Sequence, residues 1–124
     1  MLKNFLLVGL GGAAGSMLRY GAGLLVKYCG WGGEWATWAV NFLGSLLIGI
    51  LWAWCPSGSR NLLWVVGLCG GFTTFSTFSL QSVSLLADGK TFWAILYLLG
   101  HVLLCLAATW IGLGMGQKIC SMGD

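Results

Sequence analysis

The sequence predicts an all-α membrane protein of four transmembrane helices, the third broken in mid-membrane. Three observations carry that prediction. Of the 124 residues, 58% are hydrophobic and only 7% are charged, whereas a soluble domain carries about 25% charged residues. Four windows, about 4–26, 35–54, 62–86 and 91–116, are each apolar over the roughly 20 residues that cross about 30 Å of hydrocarbon. The third window also holds a Gly-Gly pair followed by a run of Thr and Ser.

In the first window, Lys3 followed by an apolar run also fits a secretory signal peptide. Its many glycines, Arg19 and the lack of a cleavage signature favour a retained helix instead. The separators 27–34, 55–61 and 87–90 gather charge, Pro or Gly at loop positions. None is long enough for a second domain, so residues 1–124 read as a single four-helix transmembrane domain.

The second window carries Thr37, Asn41, Ser45 and Gly49 at steps of four, which places them on one helix face. Ser45 alone reads as interhelical glue. Asn41 has two donors and an acceptor to satisfy, and it fits either glue or the wall of a pathway. The third window reads Gly70-Gly71-Phe72-Thr73-Thr74-Phe75-Ser76-Thr77-Phe78-Ser79. A membrane helix can break at such a glycine pair if the loosened backbone is buried in protein or lines a cavity. Carbonyls freed there suit a hard cation, and hydroxyls can donate to an anion. Phe75 and Phe78 share a face, and the positive edge of a phenyl ring can replace water around a small anion; on their own, two such rings also fit packing. The fourth window continues with Tyr97, His101, Cys105 and Thr109, again four apart, and His101 reads as a hydrogen-bonded packing residue. The acidic residues Glu34 and Asp88 lie at window edges. The absence of a central carboxylate argues against proton coupling or cation export.

Other readings are excluded. The net charge of +3 is scattered over Lys3, Arg19, Lys27, Arg60, Lys90 and Lys118, which gives nucleic acid no patch to bind. The five cysteines fit no metal spacing, and no nucleophile–base pair suggests an enzyme. Glycine occurs 21 times, with Gly11/Gly15, Gly67/Gly71 and Gly112/Gly116 at small-xxx-small spacing, the pattern that lets membrane helices approach closely. Four spans place Lys3, Arg60 and Lys118 on one side of the membrane. Lys27 and Lys90 fall on the other, with Arg19 if it snorkels outward. Orientation follows Lys/Arg bias, and a bias this small permits insertion both ways, most simply as an antiparallel homodimer.

Three motifs make the sequence resemble the Fluc/CrcB family of fluoride ion channels over nearly the whole chain. They are Gly11-Gly12-Ala13-Ala14-Gly15-Ser16-Met17-Leu18-Arg19-Tyr20, Val40-Asn41-Phe42-Leu43-Gly44-Ser45, and the stretch Gly70–Ser79 quoted above. The resemblance implies a dual-topology homodimer with two antiparallel fluoride pathways and a central sodium ion. It places Phe75 and Phe78 as the rings whose edges face the ion, Asn41 as the pore asparagine, and Ser76 and Thr77 as hydroxyl donors. Tyr97 matches a pore-facing tyrosine, and Arg19 a position beside an aqueous vestibule. Gly70 and Thr73 match the carbonyls that hold sodium. Gln81 stands where the family commonly has Glu, and His101 and Cys105 where small hydroxyl residues are commoner. The implied function is passive fluoride export across the inner (plasma) membrane, in a multi-pass protein that protects the cell from fluoride. Two rivals remain. A small multidrug-type exporter needs a carboxylate in its first helix, which this chain lacks. A non-transporting assembly subunit explains the glycines but not the polar stripes.

Overall fold

The structure, a computed structural model, describes residues 1–122, and these are helical throughout except for short connections. Helix α1 (Leu2–Tyr28) is followed by α2 (Gly33–Trp54). A composite third rod runs from α3 (Gly58–Asn61) through a π-helical stretch (Leu62–Cys69) into α4 (Gly70–Phe72). After an interruption it resumes as α5 (Phe75–Ala87), and α6 (Thr91–Ser121) closes the chain. Three of these rods, Gly33–Trp54, Gly58–Ala87 and Thr91–Ser121, are long and apolar enough to cross a membrane. At 27 residues α1 is also long enough, but its glycines, Asn4 and Arg19 dilute its apolarity.

The loops are short because glycine closes the helix ends. After α1, Gly30 adopts φ +77°; its N–H donates to the Lys27 carbonyl at 3.0 Å and the Trp31 N–H to Val26 at 3.1 Å. After α5, Gly89 at φ +73° does the same, with Gly89 N–H on Leu86 at 3.0 Å and Lys90 N–H on Leu85 at 2.9 Å. Both are Schellman closures, which need a left-handed residue just past the helix and satisfy its last carbonyls. The second loop has no such closure; there the Asn61 side chain donates to the Cys55 carbonyl at 2.8 Å.

Packing is inverted relative to a soluble domain. Leucines and tryptophans such as Leu103, Leu106 and Trp110 are exposed, whereas Thr37, Asn41, Thr74, Ser82 and His101 are buried. Lipid tolerates the first set, and the helices must satisfy the second. Exposed Trp35 and Trp54 bracket α2; their separation of 19 residues (54 − 35) spans about 28 Å at 1.5 Å per residue. That matches the hydrocarbon thickness, with a tryptophan at each interface.

Two glycine seams bring backbones together. Gly11 and Gly15 of α1 face the third rod, where a Cβ on Gly67 would lie 2.9 Å from the Gly11 Cα and one on Gly71 3.0 Å from the Gly12 Cα. Gly49 of α2 meets α6, where a Cβ on Gly112 would overlap the Leu46 carbonyl and one on Gly116 would sit 2.5 Å from that of Ile50. All three expected small-residue pairs therefore lie at helix contacts, and Gly49 joins them. Gly112→Val should consequently cost about 1–3 kcal/mol through overpacking, seen as a lower thermal midpoint in detergent. Gly23→Ala, with open space around it, should be neutral or stabilising by up to ~1 kcal/mol through helix propensity. Equal midpoints for the two variants would contradict the seam.

Candidate functional site

The third rod breaks three residues later than its glycine pair suggests. Gly70, at φ −62° and ψ −37°, is ordinary helix with open space beside it, and Gly71 serves the close approach to α1. The interruption falls at Thr73 (φ −81°, ψ 157°) and Thr74 (φ −146°, ψ 111°), both extended. An unbroken helix would send the Thr74 N–H to the Gly70 carbonyl. Instead it donates to Asn41 Oδ1 at 2.7 Å, while Asn41 Nδ2 donates to the Thr74 carbonyl at 3.0 Å. One side-chain amide thus takes both polar groups of one backbone residue. Only oxygen can accept from an N–H and only the NH₂ can donate to a carbonyl, so the amide orientation is fixed.

That orientation fixes a second one. The other hydrogen of Asn41 Nδ2 points at His101 Nε2, 2.8 Å away. Because Nδ2 only donates, Nε2 must accept, and the imidazole proton resides on Nδ1. Nδ1 itself is buried with no hydrogen-bond partner. Asn41 is 7% exposed and His101 4%.

Thr74 also starts α5. Its hydroxyl accepts the Thr77 N–H at 3.2 Å, donates to the Thr77 hydroxyl at 2.9 Å and lies 3.3 Å from that of Ser76. An N-cap threonine satisfies an orphan donor in this way, and the positive end of the α5 dipole falls here. On the other side, Arg19 Nη1 donates to the Thr73 carbonyl at 3.2 Å. Arg19 is thus tied to the break and does not snorkel to the loop side, which leaves the side-to-side count of loop and terminal cations at three against two.

Aromatic rings wall the site. Phe78 is 4% exposed, with ring centroids 4.4 Å from His101, 5.5 Å from Tyr97 and 5.5 Å from Phe75. Trp38 completes the group at 5.0 Å from His101. A cavity of about 330 Å³ is lined by Asn41, Thr73, Thr74, Phe75, Phe78 and His101 among others. Four of the expected site residues, Asn41, Thr73, Phe75 and Phe78, therefore converge there. Tyr97 instead lines a second cavity of about 900 Å³ with Glu34, Trp38 and Lys90, and its hydroxyl donates to Gln81 Oε1 at 2.7 Å. Ser76 and Thr77 are exposed on α5, and Phe75 is 77% exposed.

The sequence reading missed Thr74, the hub of the break, although Thr74-Phe75-Ser76-Thr77 carries an N-cap signal ahead of a helix. It also left His101 out of the site, although its four-residue step from Tyr97 puts both on one face. No group of three His, Cys, Asp or Glu side chains that could hold a metal occurs among the described residues. The oxygens on offer are backbone carbonyls: Gly70, deprived of its helical Thr74 donor, and Thr73, engaged by Arg19. Hard carbonyl oxygens suit an alkali cation, though the two from one chain do not complete a coordination shell.

The Asn41 amide has both Nδ2 hydrogens committed within the protein. Asn41→Ala would leave the Thr74 N–H unpaired, at about 1–3 kcal/mol for that buried group. The variant should therefore lose thermal stability as well as any transport, and an unchanged thermal midpoint would contradict the stapling role.

Comparison with known proteins fits this geometry. The family model described as CrcB-like protein, Camphor Resistance (CrcB), matches residues 6–113. A relative from Hyphomonas neptunium named "Fluoride-specific ion channel FluC" is 43% identical over 95% of this chain and 98% of its own length. One of the same name from Thermus thermophilus is likewise 43% identical, over 95% and 98%. Another, from Chlorobaculum tepidum, is 46% identical over 82% of this chain and 85% of its own. With a family match across all the helical rods and relatives above 40% identity along nearly its full length, the chain belongs to the CrcB family.

Proposed function

We propose that this chain is a fluoride-selective channel: it lets fluoride leave the cell passively across the inner membrane and so limits fluoride toxicity. The observation that carries the reading is the 43% identity, over 95% of the chain, to relatives named fluoride-specific ion channels. The residues around the break fit that chemistry. Fluoride holds its water shell tightly, so a pathway must offer donors in place of water. The N-terminus of α5, the hydroxyls of Ser76 and Thr77, and the positive edges of Phe75 and Phe78 supply them. No carboxylate lies among the residues lining the cavity at the break, which supports passive flux over coupled transport. Hydrogen fluoride enters an acidified cell as the neutral molecule and ionises inside, and an exit for the anion prevents its accumulation. No observation favours the multidrug-exporter or assembly-subunit readings.

The working unit in this reading is an antiparallel homodimer. Phe75 and the hydroxyls of Ser76 and Thr77 stand exposed on α5, and exposed hydroxyls are poor neighbours for lipid. A second copy would cover them and complete a pathway. Loop and terminal cations of three against two leave little bias against either orientation. The Gly70 and Thr73 carbonyls would hold sodium together with the corresponding oxygens of the second copy, where the ion supplies positive charge and ties the two breaks together. Arg19 at the Thr73 carbonyl already puts a cation beside the break.

Two experiments test this reading. Fluoride efflux from liposomes, read with a fluoride electrode, should proceed without a proton gradient. Phe75→Ile and Phe78→Ile should each cut it at least tenfold, equivalent to about 1.4 kcal/mol on the barrier, while the protein purifies normally. Such volume-conserving swaps cost packing under about 1.5 kcal/mol, so wild-type efflux from the folded double variant would make both rings packing residues only. In a variant with the five native cysteines replaced, a single cysteine fused after the C-terminus should label from both sides of the membrane in comparable amounts, and one-sided labelling would exclude dual topology.

A further inference from the structure

The second cavity shares no lining residue with the one at the break, and its chemistry is different. At about 900 Å³ it lies near the upper end for small-molecule sites, about 300–1,000 Å³. Its mouth is charged and aromatic, with Glu34, Trp35, Lys90 and Trp93. From there Leu96, Gly100 and Leu104 carry it along α6.

The groove has the length of one membrane leaflet. Lys90 is the N-cap of α6, and Leu104 lies 14 residues (104 − 90) further on, about 21 Å at 1.5 Å per residue. Half a bilayer, headgroup region included, measures about 20–22 Å. Trp35 already marks the interface at this end of α2, and Trp93 is equally exposed. The mouth therefore sits at headgroup level and the leucines at the level of the acyl chains.

The two ends ask for different parts of one molecule. Lys90 lies 3.9 Å from Asp88, but both side chains are 58% exposed, and so open a pair holds little energy. Glu34 makes no ion pair among the described residues. The mouth thus presents a cation and an anion, with indole faces that attract an ammonium group. Deeper in, the lining is apolar or aromatic, and the Tyr97 hydroxyl is already engaged by Gln81. An ionic solute finds no partner there, whereas a hydrocarbon chain does. Gly100 keeps that part open: a Cβ on it would lie 3.2 Å from the Trp38 ring.

We propose that this groove is a binding site for one zwitterionic phospholipid per chain. Lys90 takes the phosphate. Glu34 and the faces of Trp35 and Trp93 take the headgroup amine, and an acyl chain lies along Leu96, Gly100 and Leu104. The site concerns a different surface from the fluoride pathway and does not depend on that reading.

The test is native mass spectrometry of the purified full-length protein with dioleoylphosphatidylethanolamine, and separately with dioleoylphosphatidylglycerol, which has the phosphate but no amine. Wild-type protein should retain one phosphatidylethanolamine per chain and prefer it at least tenfold over phosphatidylglycerol. Glu34→Gln combined with Lys90→Gln should lower that retention at least tenfold and erase the preference. Both side chains are exposed, so the thermal midpoint should not move. Equal retention of the two lipids by wild-type protein is what a nonspecific annulus gives; it would overturn the proposal, and it needs no variant. Loss of a dimer instead of loss of lipid in the double variant would also overturn it, because a second copy would then cover the groove. Absent fluoride efflux from protein that retains the lipid would count against the channel reading alone.

Discussion

The peptide groups of Thr74 are buried in a segment that must lie at membrane depth, and its N–H, at the N-cap of α5, has no helical acceptor. In hydrocarbon each unsatisfied backbone group costs several kcal/mol, so a break in the third rod exists only if something else takes the Thr74 N–H. Asn41 takes it at 2.7 Å and donates to the Thr74 carbonyl at 3.0 Å. The rest of the site follows from that exchange. The start of α5, the release of the Gly70 carbonyl and the placement of Phe75 and Phe78 all depend on the backbone turning at Thr73–Thr74. The tautomer of His101 depends on the same amide.

That exchange needs rods held at short and reproducible distances. With lipid on the outside there is no hydrophobic drive between helices, and close backbone approach supplies the attraction instead. The glycines of α1 against the third rod, and of α2 against α6, bring backbone atoms to distances at which a Cβ does not fit. Asn41 sits on α2 beside Gly44, where a Cβ would run into Thr73 and Phe72. The same close approach that joins α2 to the break lets a short side chain reach its backbone.

Much of this was legible in the sequence because membrane helices announce themselves by composition and length. The spans expected near 35–54, 62–86 and 91–116 correspond to rods at Gly33–Trp54, Gly58–Ala87 and Thr91–Ser121. The small-residue pairs marked the seams. Two readings fell short for reasons of tertiary context. Gly70-Gly71 has the composition of a break, but Gly71 is used for contact with α1, and the break moves to the residue that Asn41 can reach. Arg19 sits on a helix that permits snorkelling, yet the freed Thr73 carbonyl is a nearer partner. The π-helical stretch Leu62–Cys69 and the role of Thr74 had no periodic signal at all. His101 had one, its spacing from Tyr97, but its hydrogen-bond state emerges only when Asn41 and Thr74 are placed around it.

The most direct test of the account is the reversal potential of the purified protein in a planar lipid bilayer with a fluoride gradient and symmetric chloride. A passive fluoride pathway predicts a current that reverses at the fluoride equilibrium potential and does not move when a chloride or a proton gradient is added. A reversal potential that follows chloride or protons, or a bilayer that stays silent with well-folded protein inserted, would contradict it.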